Sequence, residues 1–243
     1  SLPQVPEQAS ANSTEPTPES VASTPEPAAQ PTPTDNQIGV IIDNRQLWEH
    51  SEAADVTFWY AVTDLNGNGR YEIFSAATQE IGVSTFGTLY EVSEDMTTLV
   101  PYNQTDGTND LPEVKVESAT RYTENGGDNR VFYLFTDIAK SGLSDVYEAK
   151  VALRLAEGQL EKMRICYKQT ESYVDGTLYT NFYDGNGNQL EEDVFNNCLD
   201  ICFAGFNADT VNLGWFKAET GSYEAMLTLS YKVFCGELAR MPE

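Results

Sequence analysis

Histidine occurs once in these 243 residues, at His50, and basic residues are few, with 14 Lys and Arg against 38 Asp and Glu. A single histidine excludes histidine-rich zinc chemistry. It also leaves any Ser-His-Asp or Cys-His arrangement one candidate base. That base sits in "LWEHSEAA", a polar stretch without a nucleophile motif, and reads as a surface histidine. G-x-S-x-G does not occur, nor does a phosphate-cradling glycine loop with its lysine. The net charge of −24 repels phosphate backbones and anionic membrane surfaces, so nucleic acid is excluded as a partner. Cations and neutral ligands are favoured. No apolar run approaches the ~20 residues needed to span a bilayer. The four cysteines, Cys166, Cys198, Cys202 and Cys235, lack the paired knuckles of a zinc site. Cys198 and Cys202 lie one helical turn apart, on an apolar face with Val194, Phe195 and Leu199. This pattern reads as buried free thiols, with one cross-link between helices as the alternative.

What is present is unevenly spread. Residues 1–37 hold eight of the eleven prolines, five acids, and no Lys, Arg or aromatic residue. "STEPTPESVASTPEPAAQPTPT" cannot bury enough apolar surface to offset its ordering entropy. We expect a disordered Pro/Ser/Thr/Glu-rich linker, partly polyproline II, reaching on the order of 100 Å at ~3.1 Å per residue. The chain opens at Ser1 directly into this segment, as a trimmed mature form would. A spacer of this composition ahead of a compact domain resembles the tether of Gram-positive surface lipoproteins. That resemblance implies an extracellular, cell-surface-anchored protein, touching the membrane only through an N-terminal lipid anchor.

Residues 38–243 suit a single α+β domain, with 38–105 and 106–243 as the alternative subdomains. Residues 38–54, "IGVIIDNRQLWEHSEAA", read as a short helix or extended lead-in ending near Trp48. "VTFWYAVT" and "YEIFSAATQ" form a hairpin candidate rich in aromatic and β-branched residues. "GTLYEVSED" follows as a strand, with "TTLVPY" continuing it. Further strands fall at "VKVESATRYT", "RVFYLFTDIA", "VYEAKVALRLA", "LEKMRICYKQT" and "YVDGTLYTNFY", separated by Gly/Asn/Asp turns. "EEDVFNNCLDICF" and the run from Ser222 to Leu238 carry helical spacing. The expectation is an antiparallel β meander with a short N-terminal helix and two C-terminal helices.

The loop "DLNGNGRYE" places an oxygen-bearing group at alternate positions. Calcium takes about six to eight oxygens. Side chains of Asp64, Asn66 and Asn68, the main-chain carbonyl of Arg70 and the carboxylate of Glu72 stand at positions 1, 3, 5, 7 and 9. Gly69 permits the sharp turn at position 6. The rival reading is metal-free, since Asn-Gly-Asn-Gly is by itself a strong hairpin turn. The loop resembles the DxDxDGxxD/E calcium loop of integrin-type β-propeller repeats and related bacterial surface proteins. It departs from the EF-hand at position 12, where Ser75 replaces the bidentate Glu. The wider stretch "WYAVTDLNGNGRYEI…TFGTLYEV" is similar to exported Gram-positive lipoproteins with a Y-x-x-x-D-x-D-G-N-G-x-x-E segment. The likeness spans residues 38–100 and implies a location and a calcium loop, but no activity. With two neutral asparagines, affinity is expected near the weak extracellular range, ~10⁻⁴–10⁻³ M.

A second echo, "DGNGNQLEE", repeats the spacing with Asp184, Asn186, Asn188 and Glu192, but Gln189 stands at position 6. It reads as a strand-to-helix turn. No catalytic residue is assigned. The functional expectation is a surface-tethered, non-enzymatic binding or scaffold module with a weak calcium-stabilised hairpin, monomeric, its ligand an extracellular glycan or protein. The alternative from another class is a secreted carbohydrate-active hydrolase using a carboxylate pair ~5–10 Å apart across a cleft. A purely structural domain, such as an inhibitor or spacer, is the third reading.

Overall fold

A computed structural model describes residues 36–51, 55–79, 85–126, 130–141, 145–173, 175–218 and 222–242. The linker expected over 1–37 lies outside these, apart from its last two residues. Those two begin helix α1 (Asn36–Asp43), where Gln37 is buried. A one-turn helix α2 (Arg45–Trp48) follows, and then four strands: β1 (Val56–Thr63), β2 (Glu72–Gln79), β3 (Thr85–Val92) and β4 (Leu99–Gln104). A two-residue β5 (Asp110–Leu111) leads to β6 (Ser118–Glu124), β7 (Val131–Ser141), β8 (Asp145–Ala156) and β9 (Gln159–Ser172). The chain continues through β10 (Leu178–Asp184), β11 (Gln189–Leu190), α3 (Glu192–Asn196), α4 (Cys198–Cys202), β12 (Phe206–Asn212) and α5 (Tyr223–Phe234).

The sheet runs β1-β2-β3-β4-β9-β8-β7-β6-β12. Just beyond β12, Phe216 exchanges both backbone hydrogen bonds with Tyr60 of β1, at 2.8 and 2.9 Å. The sheet therefore curls until its two ends touch. Strand alternation sends one set of side chains inward and the other outward. Phe74, Leu89, Tyr133, Leu153, Leu160 and Trp215 fill the inside of the curl. On the outside of β1–β3, Tyr60 and Ile73 pack against Ile41, Trp48 and Leu227 from the helices. Burying each such large apolar side chain is worth about 1.5–3 kcal/mol. Helix α5 starts where expected, with the Ser222 hydroxyl accepting from Ala225 N. It is fixed to the sheet by a buried bond from Val62 N to Ser230 Oγ, 2.8 Å. The described residues form one compact unit, and among them no helix is long and apolar enough to cross a membrane.

The fold is mostly β with a few helices, and it departs from the expectation in four ways. The sheet is mixed, because β4 pairs with β9 in parallel (Asn103↔Gln159). "TTLVPY" does not continue β3. It turns back as β4, because Asp95 closes a tight turn by accepting from Ser93 Oγ and from the amide and hydroxyl of Thr97. "EEDVFNNCLDICF" is not one helix. Asn197 donates its side-chain amide to Asp193 O at 2.7 Å and leaves helical geometry (φ −100, ψ 4), which splits the run into α3 and α4. The strand β12, "FNADTVN", was not expected. Most of its residues are exposed, so its hydrophobic pattern is weak, and its pairing with β6 holds it.

The cysteines also differ from the thiol reading. Cys166 on β9 is disulfide-bonded to Cys198 at the start of α4, with Cα atoms 6.7 Å apart, so the link joins strand to helix. Cys202 and Cys235 are free and exposed, not buried.

Candidate functional site

The hairpin β1–β2 keeps full register from Val56↔Gln79 to Thr63↔Glu72, so the loop Asp64–Tyr71 is delivered to one end of the curl. Gly67 and Gly69 take left-handed backbone there (φ 70 and 81), which side-chain-bearing residues rarely adopt. Asp64 Oδ2 accepts from Gly69 N at 3.0 Å. Asn66 Oδ1 accepts from Asn68 N, and Asn68 Oδ1 accepts from Arg70 N, at 3.0 and 2.7 Å. Each Asx side chain thus folds the next two residues around itself. From the outside, Gln37 of α1 clamps the loop: its Nε2 donates to Gly69 O and its Oε1 accepts from Tyr71 N.

Glu72 opens β2 and points inward. It is completely buried. Its Oε2 accepts from Thr63 Oγ1 and Leu65 N, both at 2.7 Å. Its Oε1 is buried with no hydrogen-bond partner, and the same is true of Asp64 Oδ1. Burial pushes the Glu72 carboxyl up to about 8. The Leu65 and Thr63 bonds oppose that rise, while the charges of Asp64 and Glu91 add to it. Burial also raises Asp64, with the loop amides of Gly69, Asn68 and Gly67 pulling it back.

Glu91 is the residue the sequence reading missed. It is the direct cross-strand partner of Glu72, and like charges opposed on one sheet face repel. It is nearly buried, and the loop covers it. Asn66 and Asn68 both donate their amide nitrogens to Glu91 Oε1, at 2.8 and 2.7 Å, and Arg70 pairs with Glu91 Oε2 at 2.6 Å. Tyr102 of β4 accepts from Asn66. The only signal for Glu91 in the sequence is an acid standing where the Leu89 alternation predicts an inward apolar residue. All five expected residues, Asp64, Asn66, Asn68, Arg70 and Glu72, therefore meet in one loop, with Glu91 added beneath it.

Charge balance defines the chemistry. Asp64, Glu72 and Glu91 are three carboxylates facing one guanidinium, with two acidic oxygens dry and unpaired. A buried uncompensated carboxylate is costly, so it must take up a proton or hold a cation. Among the described residues no three His, Cys, Asp or Glu side chains form a metal-holding group. A calcium set here would not need three. Asp64 Oδ1 and Glu72 Oε1 would supply the charge, and the Asn66 and Asn68 side-chain carbonyls with the Arg70 main-chain oxygen would be the neutral donors, with water for the rest. The residues fit calcium in donor type, and Arg70's side chain serves Glu91 instead.

The echo at Asp184 behaves otherwise. Asp184 Oδ1 accepts from the amides of Asn186 and Asn188, and Oδ2 accepts from Asn188 Nδ2. These bonds, the Asn188 side chain foremost, hold its pKa below the usual carboxylate range. Glu192 lies apart, exposed, at the start of α3.

His50 is exposed, as expected of a surface histidine, and stacks on Phe58. Its Nε2 lies 3.5 Å from Ser75 Oγ, but that hydroxyl is already engaged by Thr88 Oγ1 and Thr88 N. The two clefts on this side of the sheet have no Asp or Glu in their lining, and a third cleft beside α4 has Asp184 alone. None of the three holds a carboxylate pair. Compared with protein-family models, with curated proteins and with solved structures, the chain matches none.

Proposed function

We propose that this chain is a cell-surface-tethered, non-enzymatic binding or scaffold module whose β1–β2 hairpin is stabilised by weakly held calcium. The observation that carries the metal is the pair of dry, unpartnered oxygens, Asp64 Oδ1 and Glu72 Oε1, beside a third carboxylate. Calcium would neutralise them, pin the hairpin and leave Glu91 to the loop's amides and Arg70. Export is supported by the Cys166–Cys198 disulfide, since disulfides persist in oxidising compartments. It is supported too by the composition of residues 1–37 and by the likeness to exported lipoproteins.

The test is thermal unfolding of chelator-stripped protein with and without millimolar calcium. Calcium raises the midpoint, magnesium does so less, and Asp64→Ala abolishes the shift. An unchanged midpoint in stripped wild-type protein overturns the metal.

A further inference from the structure

Between β3 and β4 the sheet forks. The strands pair from Leu89↔Tyr102 to Val92↔Leu99 and then part: β4 goes to β9, while the start of β3 pairs with β5. Gly87 stands at the fork. A Cβ there would collide with the Leu111 side chain and the Ser75 carbonyl, so only glycine lets β5 cross so close. Gly87 N donates to Asn109 O, and Gly87 O is reached by Gln104 Nε2 at 3.4 Å.

Two clefts open at this fork and meet at Gly87, Thr88 and Asn109. One, about 100 Å³, lies towards His50 and is walled by Phe58 and Phe86. The other, about 280 Å³, runs towards Tyr90, Tyr102 and Gln104. Seventeen residues line the two together, and none is Asp, Glu, Lys or Arg. In a chain that is 21% charged, three or four would be expected. The lining has amides in their place. Among the described residues the side-chain amides of Asn103 and Asn109, both exposed, have no hydrogen-bond partner. Gln104 Oε1 is buried and unpartnered as well. Thr88, Thr108 and Tyr102 also line the groove, with hydroxyls engaged by Ser75, by Asp106 and Lys162, and by Asn66, and Phe86 stands exposed at its end.

We infer that this fork is a binding site for a neutral saccharide. The inference rests on the binding-module reading above and names its ligand class. Sugars present hydroxyl groups that donate and accept at once, and carbon-bound faces that lie on aromatic rings. The unpartnered side-chain amides of Asn103 and Asn109 and the Gln104 Oε1, beside Phe86 and Tyr90, match both demands. An anionic ligand would meet only Lys162, which donates to Thr108 Oγ1 and is already paired with Asp106, and a field from a −24 protein. A peptide added as a strand would need a row of free backbone groups, and at the fork the Gly87 amide and carbonyl are already engaged.

The experiment is calorimetric titration of the full chain with cellohexaose, mannohexaose and chitohexaose. An anionic oligogalacturonate and blocked neutral hexapeptides are titrated alongside. Phe86→Ala and Asn109→Ala, both at exposed positions, are compared with wild type after their unfolding midpoints are checked. A neutral saccharide saturates wild type, and each substitution weakens it about 3- to 10-fold, the worth of one neutral hydrogen bond or ring contact. Saturation that neither substitution weakens overturns the location. Equal binding of the oligogalacturonate overturns the neutral class. Binding of peptides alone overturns the inference and leaves the binding module standing. Silence from every probe overturns both. The calcium-dependent midpoint, read on the same samples, decides the metal separately.

Discussion

Two loops in this protein are spelled almost alike, Asp64–Glu72 and Asp184–Glu192, and they do opposite things. Both set Asp, Asn and Asn at alternate positions, and both hold a glycine with positive φ. In the second, every side-chain hydrogen bond of Asp184 stays within the turn, and the side chain is partly exposed. In the first, the same Asx turns lie over buried acids, so two carboxylate oxygens are left dry and unmatched. The difference lies in what stands beneath. Glu72 and Glu91 face each other across β2 and β3 under the first loop. Asp184, by contrast, is registered with Cys166, one end of the disulfide that anchors the β10–α4 excursion. One loop is held by charge and the other by a covalent link.

The comparison can be broken most severely at Glu91. Glu91→Ala removes the buried acceptor shared by Arg70 and two asparagine amides, and should cost about 3–5 kcal/mol in denaturant unfolding. An effect under about 1 kcal/mol would show that the loop does not depend on the acid beneath it. Next comes the covalent side. Replacing Cys166 and Cys198 by alanine releases a closure of 32 residues, worth about 3–4 kcal/mol by chain entropy. Local hydrogen exchange should rise in β10 and α4 and stay unchanged in the Asp64 loop. Calcium should act on the first loop alone. At about tenfold over a millimolar affinity it adds about 1.4 kcal/mol, a rise of about 3–6 °C for a domain of this size. The smallest effect is at the echo: Asp184→Ala should cost no more than about 1 kcal/mol and leave the calcium shift intact.

Proton uptake sharpens the same contrast. Glu72's carboxyl moves from 4.5 to about 8 through burial. In stripped protein the folded state then carries a proton that the unfolded state has lost, so stability falls as pH rises through that window. Calcium should restore stability near pH 8. Glu72→Gln should flatten the pH dependence and abolish the calcium response. A stripped wild-type protein with no loss of stability from pH 5 to 8 would contradict a dry Glu72.

Much of this was legible in the sequence, because local chemistry writes it there. The Asx-Gly spacing, the flanking aromatic strands and the Ser222 start of the last helix are all short-range signals. Glu91 was not legible. It is joined to Glu72 only by strand pairing, and one acid among 38 gives no spacing to read. Gln37 sat at the edge of what composition marked as linker, yet it is buried and clamps the loop. Asn197 looked like one polar position in a helix, and the side-chain bond that breaks it there depends on its rotamer. The fork at Gly87 is the product of three strand pairings, none local to it.

The closing bridge between Tyr60 and Phe216 carries a consequence for the order of folding. The two residues are 156 positions apart, and their hydrogen bonds are the last link between the ends of the curl. While the chain is being synthesised, β1 emerges early and its outer edge waits for almost the entire remaining sequence. Such long-range closure slows folding, and an open strand edge invites pairing with another chain. A chain stopped before Leu213 would still hold all the strands, β1 to β12, but with that edge permanently exposed. It should accumulate as aggregates where the complete chain stays soluble.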